Sequence, residues 1–126
     1  MARHTQVAVI APEQLIGAFS VLIHSESSLE LLASATDLAG LKAVLANQMP
    51  DVILIYLVQE CEANNGRSAF EIIGQLKSTW PEPACIAIVK YASQRKKILE
   101  SGADVALVEG TNAERLLNAL EGKLAK

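Results

Sequence analysis

Few side chains in this chain are equipped for chemistry, and they are scattered. Cys61 and Cys85 are the only cysteines, and His4 and His24 lie far from both in sequence. Neither cysteine belongs to a CxxC pair, so zinc spacing is missing, and two cysteines cannot make a disulfide framework. Free thiols in a reducing compartment are expected. Glu13, Glu60, Glu62 and Glu109 fall near what would be one edge of a sheet, where carboxylate oxygens suit a hard cation. Glutamates in loops are usually solvated charge, however, and no metal is expected. Cys61 lies between Glu60 and Glu62, in a segment that reads as an exposed loop. Two neighbouring carboxylates should raise its pKa and make it a slow nucleophile. The stretch APEQLIG (11–17) lacks the glycines of a phosphate-cradling loop. No GxSxG elbow, HExxH or paired His/Cys set appears, so neither an enzymatic activity nor a cofactor is expected.

The elements that would position these residues are legible from hydrophobic spacing. Short apolar runs at 7–11, 31–35, 52–57, 85–89 and 105–108 read as strands. Between them, Leu15, Ile16, Phe19, Leu22 and Ile23 share one helical face, as do Leu38, Leu41, Val44 and Leu45. Phe70, Ile73 and Leu76 make a third stripe, and Leu116, Leu117, Leu120 and Leu124 a last one; residues 95–101 form a shorter, more polar helix. Asp37 can cap the second helix, and TNAE (111–114) reads as a capping box on Thr111. Pro50 and WPEP (80–83) stop helices ahead of strands, and Gly102 falls where a helix would end in a left-handed turn. Strand–helix repeated five times predicts an α/β fold: a doubly wound, five-stranded parallel sheet between two layers of helices, of the flavodoxin-like (βα)5 type. Residues 1–126 read as a single domain.

The run 52–58 is apolar throughout, as expected of a central strand buried on both faces, and it carries Tyr56 at its carboxyl end. Ligands of open parallel sheets bind at that edge. The longest segment without periodicity, VQECEANNGRS (58–68), follows that strand and should overhang the edge as a polar loop. Asp51 precedes the strand, at the opposite end of the sheet.

Hydrophobic residues make up 51% of the 126 residues, charged residues 20%, and the net charge is −3. That balance excludes a disordered tail and gives no global attraction to nucleic acid or an anionic membrane. No apolar run approaches the roughly 18–20 residues that span a bilayer, and the apolar stretch at the N-terminus is too short for a signal peptide. A cytoplasmic location is expected.

The stretches MPDVILIYL, LKSTWPEPACIAIV and LESGADVALVEGTNAERLLNAL resemble, over nearly the whole chain, the receiver domains of bacterial two-component response regulators. The likeness is strongest to the subgroup usually followed by a helix-turn-helix module. SGAD and TNAERLL are its most specific pieces, and they belong to the scaffold rather than to a catalytic motif. Receivers move a phosphoryl group from a histidine kinase to their own aspartate, using an acidic cluster that holds Mg²⁺, a lysine and a Ser/Thr hydroxyl.

Position by position, the resemblance puts the acidic pair on Ala11 and Pro12, the phosphoacceptor on Tyr56, the hydroxyl on Val89 and the lysine on Glu109. The aromatic switch position falls on Ala106. None of these side chains can do the family's chemistry. The resemblance therefore implies a pseudo-receiver, with Tyr56 packed into the space of the lost cluster and its hydroxyl within reach of Glu109 or of loop backbone. Such a module would act in two-component-type signalling by binding a protein partner or a second copy of itself. The implied surface is the family's face of fourth helix, fifth strand and fifth helix, where Arg95, Lys96, Lys97 and Arg115 can pair with acids. No nucleic acid or membrane is expected to bind this chain alone. A second expectation is a small-molecule sensor, with its ligand beneath the 58–68 loop near Tyr56 and Glu109.

Overall fold

Val52, Ile53, Leu54 and Ile55 have no polar face to turn towards water, and they form the centre of the sheet, each less than a tenth exposed. The computed structural model describes residues 4–62 and 66–122. Its strands are β1 (Thr5–Ile10), β2 (Leu29–Ala35), β3 (Val52–Tyr56), β4 (Ala84–Val89) and β5 (Val105–Val108). Its helices are α1 (Glu13–His24), α2 (Leu38–Leu45), α3 (Val58–Glu62), α4 (Arg67–Thr79), α5 (Arg95–Glu100) and α6 (Ala113–Leu120). The strands lie in the order β2-β1-β3-β4-β5, and every pairing is parallel. This is the doubly wound sheet that the alternation of apolar runs and helical stripes predicts.

Alternation along β3 divides the core. Ile53 and Ile55 join Leu41, Leu45, Ile73, Leu76 and Ile98 on the face covered by α2, α4 and α5. Val52 and Leu54 join Ile23, Leu116 and Leu120 under α1 and α6. Successive side chains of one strand thus serve two separate apolar layers.

At the amino edge of the sheet, backbone ends are tied by aspartates. Asp51 Oδ2 accepts a hydrogen bond from the Gln6 amide (2.9 Å), which joins β1 to the start of β3. Asp104 Oδ2 accepts from the Cys85 amide (2.7 Å) and pairs with Lys77 Nζ at 3.5 Å. Lys77 Nζ also donates to the Pro83 carbonyl (2.9 Å). The SGAD stretch is thus a clamp joining α4, β4 and β5. Gly102 belongs to it, with a φ of 127° and an added Cβ only 2.9 Å from Lys77 Cγ. Gly102→Ala should therefore cost about 1–3 kcal/mol, through backbone strain and displacement of Lys77. Urea unfolding followed by circular dichroism measures it, and an unchanged midpoint would show the clamp to be slack.

Four local expectations need correction. Residues 58–68 are not an unstructured polar loop: α3 occupies Val58–Glu62 and α4 begins at Arg67, with 63–65 outside the described residues. The cause is visible in Val58 and Cys61, which turn inwards one helical turn apart and are buried. Cys61 is consequently a core thiol rather than an exposed one. Val44, expected on the buried stripe of α2, is 57% exposed, because Leu41 and Leu45 already fill the contact with the sheet. The cap of α6 is Asn112, whose Oδ1 accepts from the Arg115 amide (2.8 Å), while the Thr111 hydroxyl donates back to the Val108 carbonyl. Asp37 caps α2 as expected, accepting from the Gly40 amide (2.6 Å). Leu124, expected on the stripe of α6, lies outside the described residues.

Candidate functional site at the carboxyl edge

The strand ends fix what this edge can offer. Ala11, just past β1, is buried, and its amide donates to the Ala35 carbonyl (3.1 Å). Pro12 stands at the start of α1, where it has no side-chain group to bind a cation. Val89 closes β4 fully buried, and its carbonyl accepts from the Glu109 amide (2.8 Å). These three positions thus present only backbone and apolar side chains to the edge.

Tyr56 dominates the centre. Its ring leans on Phe19 with centroids 6.2 Å apart and planes tilted by 56°. Its hydroxyl donates to Glu109 Oε2, joining the ends of β3 and β5. Burial, and then the hydrogen bond to a carboxylate and its negative charge, push the phenol up to about 12. A group whose folded pKa lies above its unfolded value near 10 contributes stability that is complete below pH 10 and lost as pH rises through 12. Phenolate absorbance should accordingly show a component with a midpoint about two units above an ordinary tyrosine. Tyr56→Phe should remove that component and flatten the loss of stability between pH 10 and 12. An unshifted titration would contradict the Tyr56–Glu109 contact.

The ring does not fill the edge, contrary to the expectation of a closed site. A hollow of about 140 Å³ lies on the Glu109 side, between Tyr56, Phe19 and Leu116. A cleft of about 390 Å³ opens on the other side, between the ends of β1 and β3 and the helices α2, α3 and α4. The ligand space expected near both Tyr56 and Glu109 is therefore divided, with Tyr56 as the wall between its parts.

The remaining candidates separate. Glu62 is ion-paired with Lys90, and Glu109 is held by Tyr56. Among the described residues no three His, Cys, Asp or Glu side chains gather as a metal site would require. Lys90 is the residue that sequence reasoning missed: it places a cation beside the end of β4, next to Glu62, and sits 5.6 Å from the Tyr91 ring centroid. Its position directly after the apolar run 85–89 was the available signal. The hydrogen bond to Glu62 raises its pKa. Burial comes first in raising both thiols, with Cys85 pushed up to about 12.

On the expected partner face, Arg95 is not free. Its Nε donates to the carbonyl of Ala106 (2.9 Å), which stands buried in β5. Without a ring at Ala106, the guanidinium fastens α5 to the strand. Lys96, Lys97 and Arg115 are exposed. Among the described residues no helix is long and apolar enough to cross a membrane.

No protein-family model and no curated protein matches the chain. Solved structures do. A LuxR family DNA-binding response regulator from Silicibacter pomeroyi is 22% identical, with a TM-score of 0.76 over 97% of this chain and 96% of that one. The isolated REC domain of RcsB from Salmonella enterica serovar Typhimurium, solved with phosphomimetic BeF3−, is 12% identical, with a TM-score of 0.78 over 98% and 92%. A CheY-like receiver domain protein from Methanospirillum hungatei is 15% identical, with a TM-score of 0.70 over 96% and 93%. The chain has the fold of response-regulator receiver domains.

Proposed function

We propose that the protein is a phosphorylation-independent receiver-like module, acting by protein contact in a two-component type of signal transduction. The single observation that carries this is the edge at Tyr56: where receivers need carboxylates, a lysine and a hydroxyl, this chain has Ala11, Pro12, Tyr56, Glu109 and Val89, with the phenol bonded to Glu109. The aspartates support the same reading. Asp51 and Asp104 stabilise the amino edge, and Asp37 caps α2, so none stands at the end of the central strand. Contact would run over α5, β5 and α6, where Lys96, Lys97 and Arg115 offer positive charge to an acidic partner or to a second copy. Charges there set specificity and association rate more than affinity.

Acetyl phosphate with Mg²⁺ tests the phosphorylation-independent part. Intact mass should be unchanged after incubation, and a phosphoryl adduct mapped to an aspartate would remove the proposal. Reversing Lys96, Lys97 and Arg115 to glutamate should abolish partner capture from the native cell while leaving the thermal midpoint unchanged.

A further inference from the structure

We propose that the cleft beside Tyr56 binds a small organic cation, a protonated amine carried on an apolar body. The cleft lies where neighbouring strands β1 and β3 send their following helices to opposite faces, the crevice that doubly wound sheets use for ligands. Its volume of about 390 Å³ falls within the range of small-molecule sites. Ile10, Leu38, Ile55 and Ile72 give it apolar walls, and the Tyr56 ring closes one side.

Charge then selects the ligand. Among the described residues lining the cleft, Asp37 and Glu60 are the only charged side chains, and no lysine, arginine or histidine faces it. Asp37 spends one oxygen on the Gly40 amide. Glu60 has no hydrogen bond or ion pair among the described residues, unlike its neighbour Glu62, which Lys90 neutralises. A largely apolar cleft edged by the exposed Asp37 and the half-buried Glu60, with no cation among its described lining residues, disfavours phosphates and carboxylates, and it favours an ammonium group whose hydrocarbon part can leave water. The site is independent of whether the protein also works through contacts on α5, β5 and α6.

Three probes sharing one ring system test the inference: tryptamine (cationic), indole-3-acetamide (neutral) and indole-3-acetate (anionic), each titrated into the ¹⁵N-labelled full chain at low salt. Tryptamine should shift the amides of residues 37–40 and 56–60 saturably, with a Kd below about 1 mM. Indole-3-acetamide should bind more weakly, and indole-3-acetate at least about tenfold more weakly than tryptamine. Asp37→Asn keeps a good helix cap while removing the charge, and Glu60→Gln removes the other. Each should weaken tryptamine roughly five- to tenfold, with unchanged thermal midpoints. No saturable shift with tryptamine, equal or tighter binding of indole-3-acetate, or shifts confined to other parts of the protein would overturn the assignment.

Discussion

Tyr56→Asp should destabilise the fold by about 2–4 kcal/mol and still yield no phosphoacceptor. The substitution removes the ring that leans on Phe19 and walls off both hollows. It also sets a new carboxylate towards Glu109, which loses its phenol donor. Two carboxylates facing each other repel while both are ionised, so the defect should ease as pH falls below about 5 and one of them takes a proton. Adding Glu109→Lys should recover part of the loss at neutral pH by replacing repulsion with attraction. Neither variant should be labelled by acetyl phosphate, because Ala11 and Pro12 still offer no ligand for Mg²⁺. Chemical denaturation at pH 5 and pH 7 reads the stabilities, and a variant as stable as the parent would show that the ring contributes nothing to the edge.

Trp80→Ala should be the most damaging single change, costing about 3–5 kcal/mol. Trp80 follows α4, is only 6% exposed and belongs to the layer under α2, α4 and α5. Its amide donates to the Leu76 carbonyl (2.8 Å), so the indole is held where the helix turns into the segment before β4. The proline on its C-terminal side keeps that turn from relaxing into helix and filling the void. Against a typical stability of about 5–15 kcal/mol, such a loss leaves a domain near its unfolding threshold. Trp80→Phe, which keeps most of the apolar contact, should cost appreciably less. The chain has a single tryptophan, so unfolding of both variants is followed by far-ultraviolet circular dichroism.

Strand positions could be read from the sequence as unbroken apolar runs, and the stripe of α1 from apolar residues that repeat with a clean helical period. Asp37 announced its cap in the same way. The short helix α3 could not be read, since VQECE has only Val58 and Cys61 as inward residues and is followed by the turn signal NNG. Two buried positions do not make a stripe. The cap of α6 slipped by one residue because Thr111 and Asn112 are both good caps, and only the backbone path decides between them. At the edge itself, Glu109 was legible only as one of two partners for the Tyr56 hydroxyl, since β3 and β5 flank β4 and the phenol has to reach past the end of that strand. Arg95 bonding to Ala106, the Lys90–Glu62 pair and the cleft were not, since each depends on how long side chains fold back across elements distant in sequence.

The central claim is that this sheet edge has lost the ability to hold a metal and a phosphoryl group together. Titrating the ¹⁵N-labelled chain with Mg²⁺ and BeF3− measures it directly, by following the amides of Ala11, Tyr56, Val89 and Glu109. The proposed function predicts that none of these resonances moves saturably. Coupled, saturable shifts at these strand ends that require both Mg²⁺ and BeF3− would contradict it.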